Sequence, residues 1–248
     1  MTAQNKRLTK RERRLLRQQE AEAASAPNLG LNLKNVKPLT MTQNEAFKSW
    51  EDGKNLMLHG IAGTGKSFMA LYLALRDILS GISNQKKLVI VRSVVEVRKM
   101  GFLPGNQKEK AAVYEAPYHA ISTELFNRGD AYDTLTRRGI VEFISTSFIR
   151  GVTLNDAIIV VDEAQNCNGH ELDSVITRVG KNCRIIFSGD FRQSDFTTDQ
   201  ERNGLKDFMK IINAMKSFES IEFDKEDIVR SALVKEYIVQ KDNLRIVI

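Results

Sequence analysis

The sequence predicts an α/β fold, a mainly parallel sheet with helices on both faces, on three observations. Apolar stretches of strand length alternate with segments of helical spacing from Leu56-Met57-Leu58-His59 to Ser220-Ile221-Glu222-Phe223, and such alternation gives parallel strands joined by helical crossovers. One stretch, Ala157-Ile158-Ile159-Val160-Val161, is apolar at every position, as a central strand buried on both faces must be. Finally, Gly60-Ile61-Ala62-Gly63-Thr64-Gly65-Lys66-Ser67 stands between a short apolar strand and the helix formers Phe68-Met69-Ala70-Leu71-Tyr72-Leu73-Ala74-Leu75, with no Gly or Pro until Gly81.

Taken in order, the chain opens on a basic tail, residues 1–22. Residues 1–19 hold seven basic side chains against Glu12, which accounts for the whole net charge of +6 and leaves the remaining residues neutral. Leu8, Leu15 and Leu16 fall near one face of a possible helix, and two readings stand: an arm that binds nucleic acid, or a solvated chain end. Residues 23–37, small and polar, read as a linker, and residues 38–248 as one domain. Its first helix follows Pro38, with Thr42 and Glu45 as a capping box, an apolar side from Ala46, Phe47 and Trp50, and Gly53 as its end. Strands are expected at Lys87–Val91, Ile140–Ile144, Ala157–Val161, Cys183–Phe187 and Ser220–Phe223. Helical stretches are expected at Gln107–Glu115, at Pro117–Phe126 with Pro117 in a first turn, at His170–Val179, and around Leu205, Phe208, Met209 and Ile212.

Composition narrows the class. Hydrophobic residues make up 42% and charged residues 27%, ordinary for a soluble globular protein. No apolar run approaches membrane-spanning length, and the polar, charged N-terminus does not read as a secretory signal. Two cysteines, Cys167 and Cys183, make no disulfide framework and fit a reducing cytoplasm. Cys167 and His170 share a suggestive spacing, but a structural zinc site needs about four ligands and nothing nearby supplies the others.

The glycine segment carries the chemistry. G-x-x-x-x-G-K-[ST] between strand and helix is a phosphate-binding loop. Its glycines let the backbone approach a polyphosphate with N–H groups turned inward, and the helix dipole adds positive potential. Gly60, Ile61, Ala62, Gly63, Thr64 and Gly65 form the cradle, Lys66 reaches the β- and γ-phosphates, and the Ser67 hydroxyl is expected on Mg²⁺. Gln43, on a first helical turn just upstream, either hydrogen-bonds adenine through its amide or is solvated. Asp162, directly after the apolar strand, is the second expected Mg²⁺ ligand, and Glu163 the group that orients and deprotonates an attacking water. Gln193, in Ser188-Gly189-Asp190-Phe191-Arg192-Gln193, follows the next strand, where it would contact the γ-phosphate or that water.

Together these residues resemble a known family. Asp162-Glu163-Ala164-Gln165-Asn166 and Gly189-Asp190-x-x-Gln193 are similar to the acidic and sensor motifs of superfamily 1 helicases. Gly101-Phe102-Leu103-Pro104-Gly105 and Arg150-Gly151-x-Thr153-Leu154-Asn155-Asp156 narrow the resemblance to the PhoH-like, phosphate-starvation-inducible ATPases over roughly residues 38–240. The resemblance implies a single RecA-like P-loop NTPase domain that binds and hydrolyses ATP, assembled as a homo-oligomeric ring, with a hexamer among the candidate sizes. It places Arg92 and Met100–Gly105 where related helicases touch nucleic acid. It makes Arg230, in Asp227-Ile228-Val229-Arg230-Ser231, a finger acting across a subunit boundary. Ser93 departs from the proline usual there.

Two functions follow. The first is an oligomeric ATPase acting on RNA or single-stranded DNA, because 248 residues are too few for the second motor domain that usually completes such a site. The second is an ATP-dependent switch that binds a protein partner, favoured by the neutral body, which lacks the basic excess of a nucleic-acid groove. A nuclease would need a second carboxylate cluster, and none stands out.

Overall fold

The computed structural model describes residues 30–81, 83–93, 107–191 and 199–244. The basic tail, the Met100–Gly105 segment and Gln193 lie outside the described residues. Six strands form one sheet: β1 (Asn55–Gly60), β2 (Lys87–Arg92), β3 (Val141–Ser145), β4 (Ala157–Val161), β5 (Arg184–Gly189) and β6 (Phe218–Phe223). Their order is β3-β2-β4-β5-β1-β6, and every pairing is parallel. The expected parallel sheet is therefore present, with each strand within a few residues of its expected place.

Alternation along the strands divides the core in two. Leu56, Leu58, Leu88, Ile90, Ile158 and Val160 face one layer, with helices α1 (Met41–Glu51), α2 (Lys66–Leu79), α3 (Gln107–Phe126) and α4 (Ala131–Arg137). Met57, Val89, Val91, Ile159, Val161 and Phe187 face the other, with α5 (Gly169–Ile176) and α6 (Asp199–Ala214). Both faces are covered, which is why β4 tolerates no polar residue. In α2 every residue from Met69 to Leu75 is buried, as befits a helix enclosed by the sheet and its neighbours. Cys167 and Cys183 are free thiols; burial pushes the Cys167 thiol up to about 12.

Several local expectations differ. Thr40, not Thr42, caps α1: its hydroxyl accepts from the Gln43 N–H, because the helix begins one residue after Thr40. Gln107–Phe126 is one helix with Pro117 inside it rather than two. The proline removes one backbone bond at a cost of about 3 kcal/mol. Burial of Tyr118, Leu125 and Phe126 against the core offsets this, since each large apolar side chain contributes about 1.5–3 kcal/mol. The second half of the expected linker is packed: Leu31, Leu33 and Val36 lie against the core, and the Lys34 N–H donates to the Leu125 carbonyl. The C-terminal segment forms α7 (Ala232–Asn243), which buries no residue. Among the described residues, no helix is long and apolar enough to cross a membrane.

Candidate functional site

The sheet order places three consecutive loops side by side. β4, β5 and β1 are neighbours, so the segments after Val161, Gly189 and Gly60 converge at the carboxyl edge, where open parallel sheets bind ligands. A cavity of about 800 Å³ opens there.

The loop after β1 is shaped by its glycines. Gly60, Gly63 and Gly65 all have positive φ, at 113°, 81° and 82°, a region closed to most side chains. Gly60 has a second constraint, since a Cβ on it would stand 2.1 Å from the Phe223 carbonyl oxygen. Within the loop, the Thr64 hydroxyl donates to the Ile61 carbonyl at 3.1 Å. Lys66 Nζ donates to the carbonyls of Gly60 (2.8 Å) and Ile61 (2.6 Å) and to Thr64 Oγ1 (3.3 Å). Its ammonium thus lies in the middle of the curl of backbone that precedes α2. The chain after β6 braces this curl from outside: the Phe223 carbonyl accepts from the Ile61 N–H, and the Val229 N–H donates to the Gly63 carbonyl.

Ser67, in the first turn of α2, and Asp162, after β4, come together although 95 residues apart in sequence. The Ser67 hydroxyl donates to Asp162 Oδ1 at 2.6 Å. Asp162 is only 3% exposed, and its other oxygen accepts from the Tyr118 hydroxyl at 3.0 Å. Burial first, and the adjacent Asp162 carboxylate second, push the Tyr118 hydroxyl far above its usual range, so it remains a proton donor. Glu163 adopts φ 51°, a left-handed conformation uncommon for a non-glycine residue, and its carboxylate accepts from the Gln165 side chain. The Gln165 oxygen in turn accepts from the Asp190 N–H at 3.1 Å, tying the segment after β4 to the one after β5.

Gln43 is buried rather than solvated. Its oxygen accepts from the Leu39 N–H at 2.7 Å and its nitrogen donates to the Thr64 carbonyl at 3.1 Å, which clips α1 to the phosphate loop. Arg230 is exposed and lines the cavity of its own chain, packed on the Gly63 backbone. Arg92, expected toward nucleic acid, lines the same cavity and stacks over Tyr114, 5.9 Å from the ring centroid. Of the residues expected to form the site and lying in the described chain, all but Gly60 and Ile61 border this one cavity. Sequence reasoning missed Tyr118 and the bridging role of Gln165. Gln165 stands within a recognised motif, whereas Tyr118 carries no sequence signal because only tertiary packing brings α3 to β4.

The parallel sheet, the phosphate loop after a central strand and the hydroxyl–carboxylate pair beside it define a RecA-like P-loop protein. The chain belongs to the PhoH-like protein family, whose model matches residues 35–241. It is 31% identical over 210 residues to a PhoH-like protein of Bacillus subtilis, covering 84% of this chain and 65% of that protein. It is 35% identical over 177 residues to protein PhoH2 of the same organism, covering 68% of this chain and 40% of the relative. With protein PhoH of Escherichia coli it shares 28% identity over 243 residues, covering 92% and 68%. The chain therefore spans less than two thirds of the two Bacillus proteins. Among solved structures, unliganded Pif1 from Bacteroides sp. aligns at a TM-score of 0.42 and 17% identity, over 85% of this chain and 46% of that one.

Proposed function

We propose that this chain binds ATP with Mg²⁺ in the cavity at the carboxyl edge of the sheet and hydrolyses it, as an oligomeric ATPase acting on RNA or single-stranded DNA. The observation that carries this reading is the 2.6 Å contact of Ser67 Oγ with Asp162 Oδ1, which sets two hard oxygen donors beside the phosphate loop. Such donors fit Mg²⁺, which when bound neutralises phosphate charge. The N–H groups of Ala62–Gly65 wrap the phosphates, that of Ile61 being held by the Phe223 carbonyl, and Lys66 turns its ammonium to the β- and γ-oxygens. Glu163 orients and deprotonates the attacking water, Gln193 contacts the γ-phosphate, and Arg230 stabilises charge that develops on it. Gln43 keeps one N–H and one lone pair beyond its two observed bonds, enough to meet an adenine edge.

Assembly as a homo-oligomer is supported by α7, which follows Arg230 and exposes Leu233, Val234 and Tyr237. Nucleic-acid binding is supported by the charge of residues 1–19; the neutral remainder favours the second reading, a nucleotide switch for a protein partner. The experiment is ATP hydrolysis with and without single-stranded RNA and single-stranded DNA, wild type beside Glu163→Gln. Stimulation by either polymer, with turnover falling at least about 100-fold in the variant while ATP still binds, is expected. Hydrolysis indifferent to both polymers points to the switch, and full turnover by the variant removes Glu163 from the chemistry.

A further inference from the structure

We infer that Tyr118 is a positioning residue for the metal side of the site: its hydroxyl holds the Asp162 carboxylate in place and so sets how much divalent cation is required to retain a nucleotide. The inference rests on the nucleotide reading above and extends it to a residue outside every motif. The terminal torsion of an aspartate is soft, with broad minima, so only hydrogen bonds orient the carboxylate. Asp162 has one hydroxyl on each oxygen, Ser67 from α2 on Oδ1 and Tyr118 from α3 on Oδ2. Ser67 is itself expected on the cation, which leaves Tyr118 to keep the carboxylate turned while Ser67 engages the metal.

The surroundings make this arrangement durable. Tyr118 is fully buried, while Pro117 and Ile121 of the same helix line the cavity. Arg92 also lines the cavity and stacks on Tyr114, one helical turn before Tyr118. A tyrosine that only filled the core would owe its place to its ring, which sits 6.1 Å from that of Phe143. Tyr118→Phe keeps that ring and removes the one group at issue.

The test uses the full chain and a fluorescent ADP analogue, with Mg²⁺ titrated in from EDTA. In Tyr118→Phe the half-saturating Mg²⁺ rises about fivefold, the equivalent of one hydrogen bond's net contribution, while affinity in EDTA stays at the wild-type value. Added to Asp162→Asn, the same change shifts the Mg²⁺ requirement less than about twofold, because two residues acting through one contact are non-additive. An unshifted Mg²⁺ requirement in Tyr118→Phe, whether or not its melting temperature falls, overturns the inference and leaves the nucleotide reading intact. So does a full fivefold shift in the Asp162→Asn background. Failure of the wild type to bind the analogue at any Mg²⁺ concentration overturns both.

Discussion

Gly60→Ala isolates the contact on which the phosphate loop is built. Gly60 ends β1 opposite Phe223 of β6, at φ 113°. A Cβ there would meet the Phe223 oxygen at 2.1 Å, its nitrogen at 2.8 Å and its carbonyl carbon at 2.9 Å. All three are backbone atoms, so no side-chain rotation relieves the clash. β6 is an edge strand, but Phe223 is fully buried and the chain beyond it is bonded back through Val229 to Gly63. Gly53→Ala serves as the internal reference, for Gly53 also has positive φ, 84°, with nothing within 4 Å of the added Cβ. Gly53→Ala therefore reports backbone strain alone, about 1 kcal/mol. Gly60→Ala adds loss of the Ile61–Phe223 hydrogen bond, about 1 kcal/mol, and overpacking of about 2 kcal/mol, for a total of about 4 kcal/mol. In a chain of this size that lowers the melting temperature by about 12 °C, against about 3 °C for the reference. Thermal unfolding of the two variants beside wild type measures both. Melting temperatures within about 3 °C of each other would refute the claim that β6 backbone seats the loop.

Two further outcomes bear on the chemistry. Lys66→Ala loses nucleotide affinity by at least about 100-fold, since the ammonium is a charge-assisted donor to phosphate; calorimetric titration measures it, and wild-type hydrolysis by this variant would dismiss the phosphate loop as the active site. Arg230→Ala mixed with Asp162→Ala regains part of the lost hydrolysis if arginine and metal ligand act across a subunit boundary. No rescue assigns Arg230 to the cavity it lines in its own chain or removes it from the site.

The sheet was legible because parallel strands buried on both faces must be apolar along their length, as β4 is, and because the core they form is local to each strand. The candidate site's centre was legible for a related reason: Asp162 and Glu163 directly follow β4, and Lys66 and Ser67 open α2 after the loop that leaves β1, so each stands within a few residues of a pattern that marks an element's end. What was not legible depended on contacts between distant segments. Pro117 reads as a helix start, and only the burial of Tyr118, Leu125 and Phe126 carries the helix through it. Two threonines compete to cap α1, and sequence spacing favoured the wrong one. α7 has no buried face to leave a periodic signal.

The two kinds of residue also divide the site spatially. The motif residues come from the ends of β1, β4 and β5, which the sheet order alone would bring together. The remaining boundary comes from segments that cross the sheet edge: residues 36–43 leading into α1, the middle of α3, and the chain from Ile228 through Ile238 over Gly63. The first group carries the phosphate and metal roles proposed above. The second decides what else the cavity touches, through Gln43 at the loop, Tyr118 at Asp162 and Arg230 at the exposed mouth. Differences in what the cavity binds are therefore to be sought in the crossing segments, whose contacts with the phosphate loop at Thr64 and Gly63 make the loop responsive to substitutions outside its own motif.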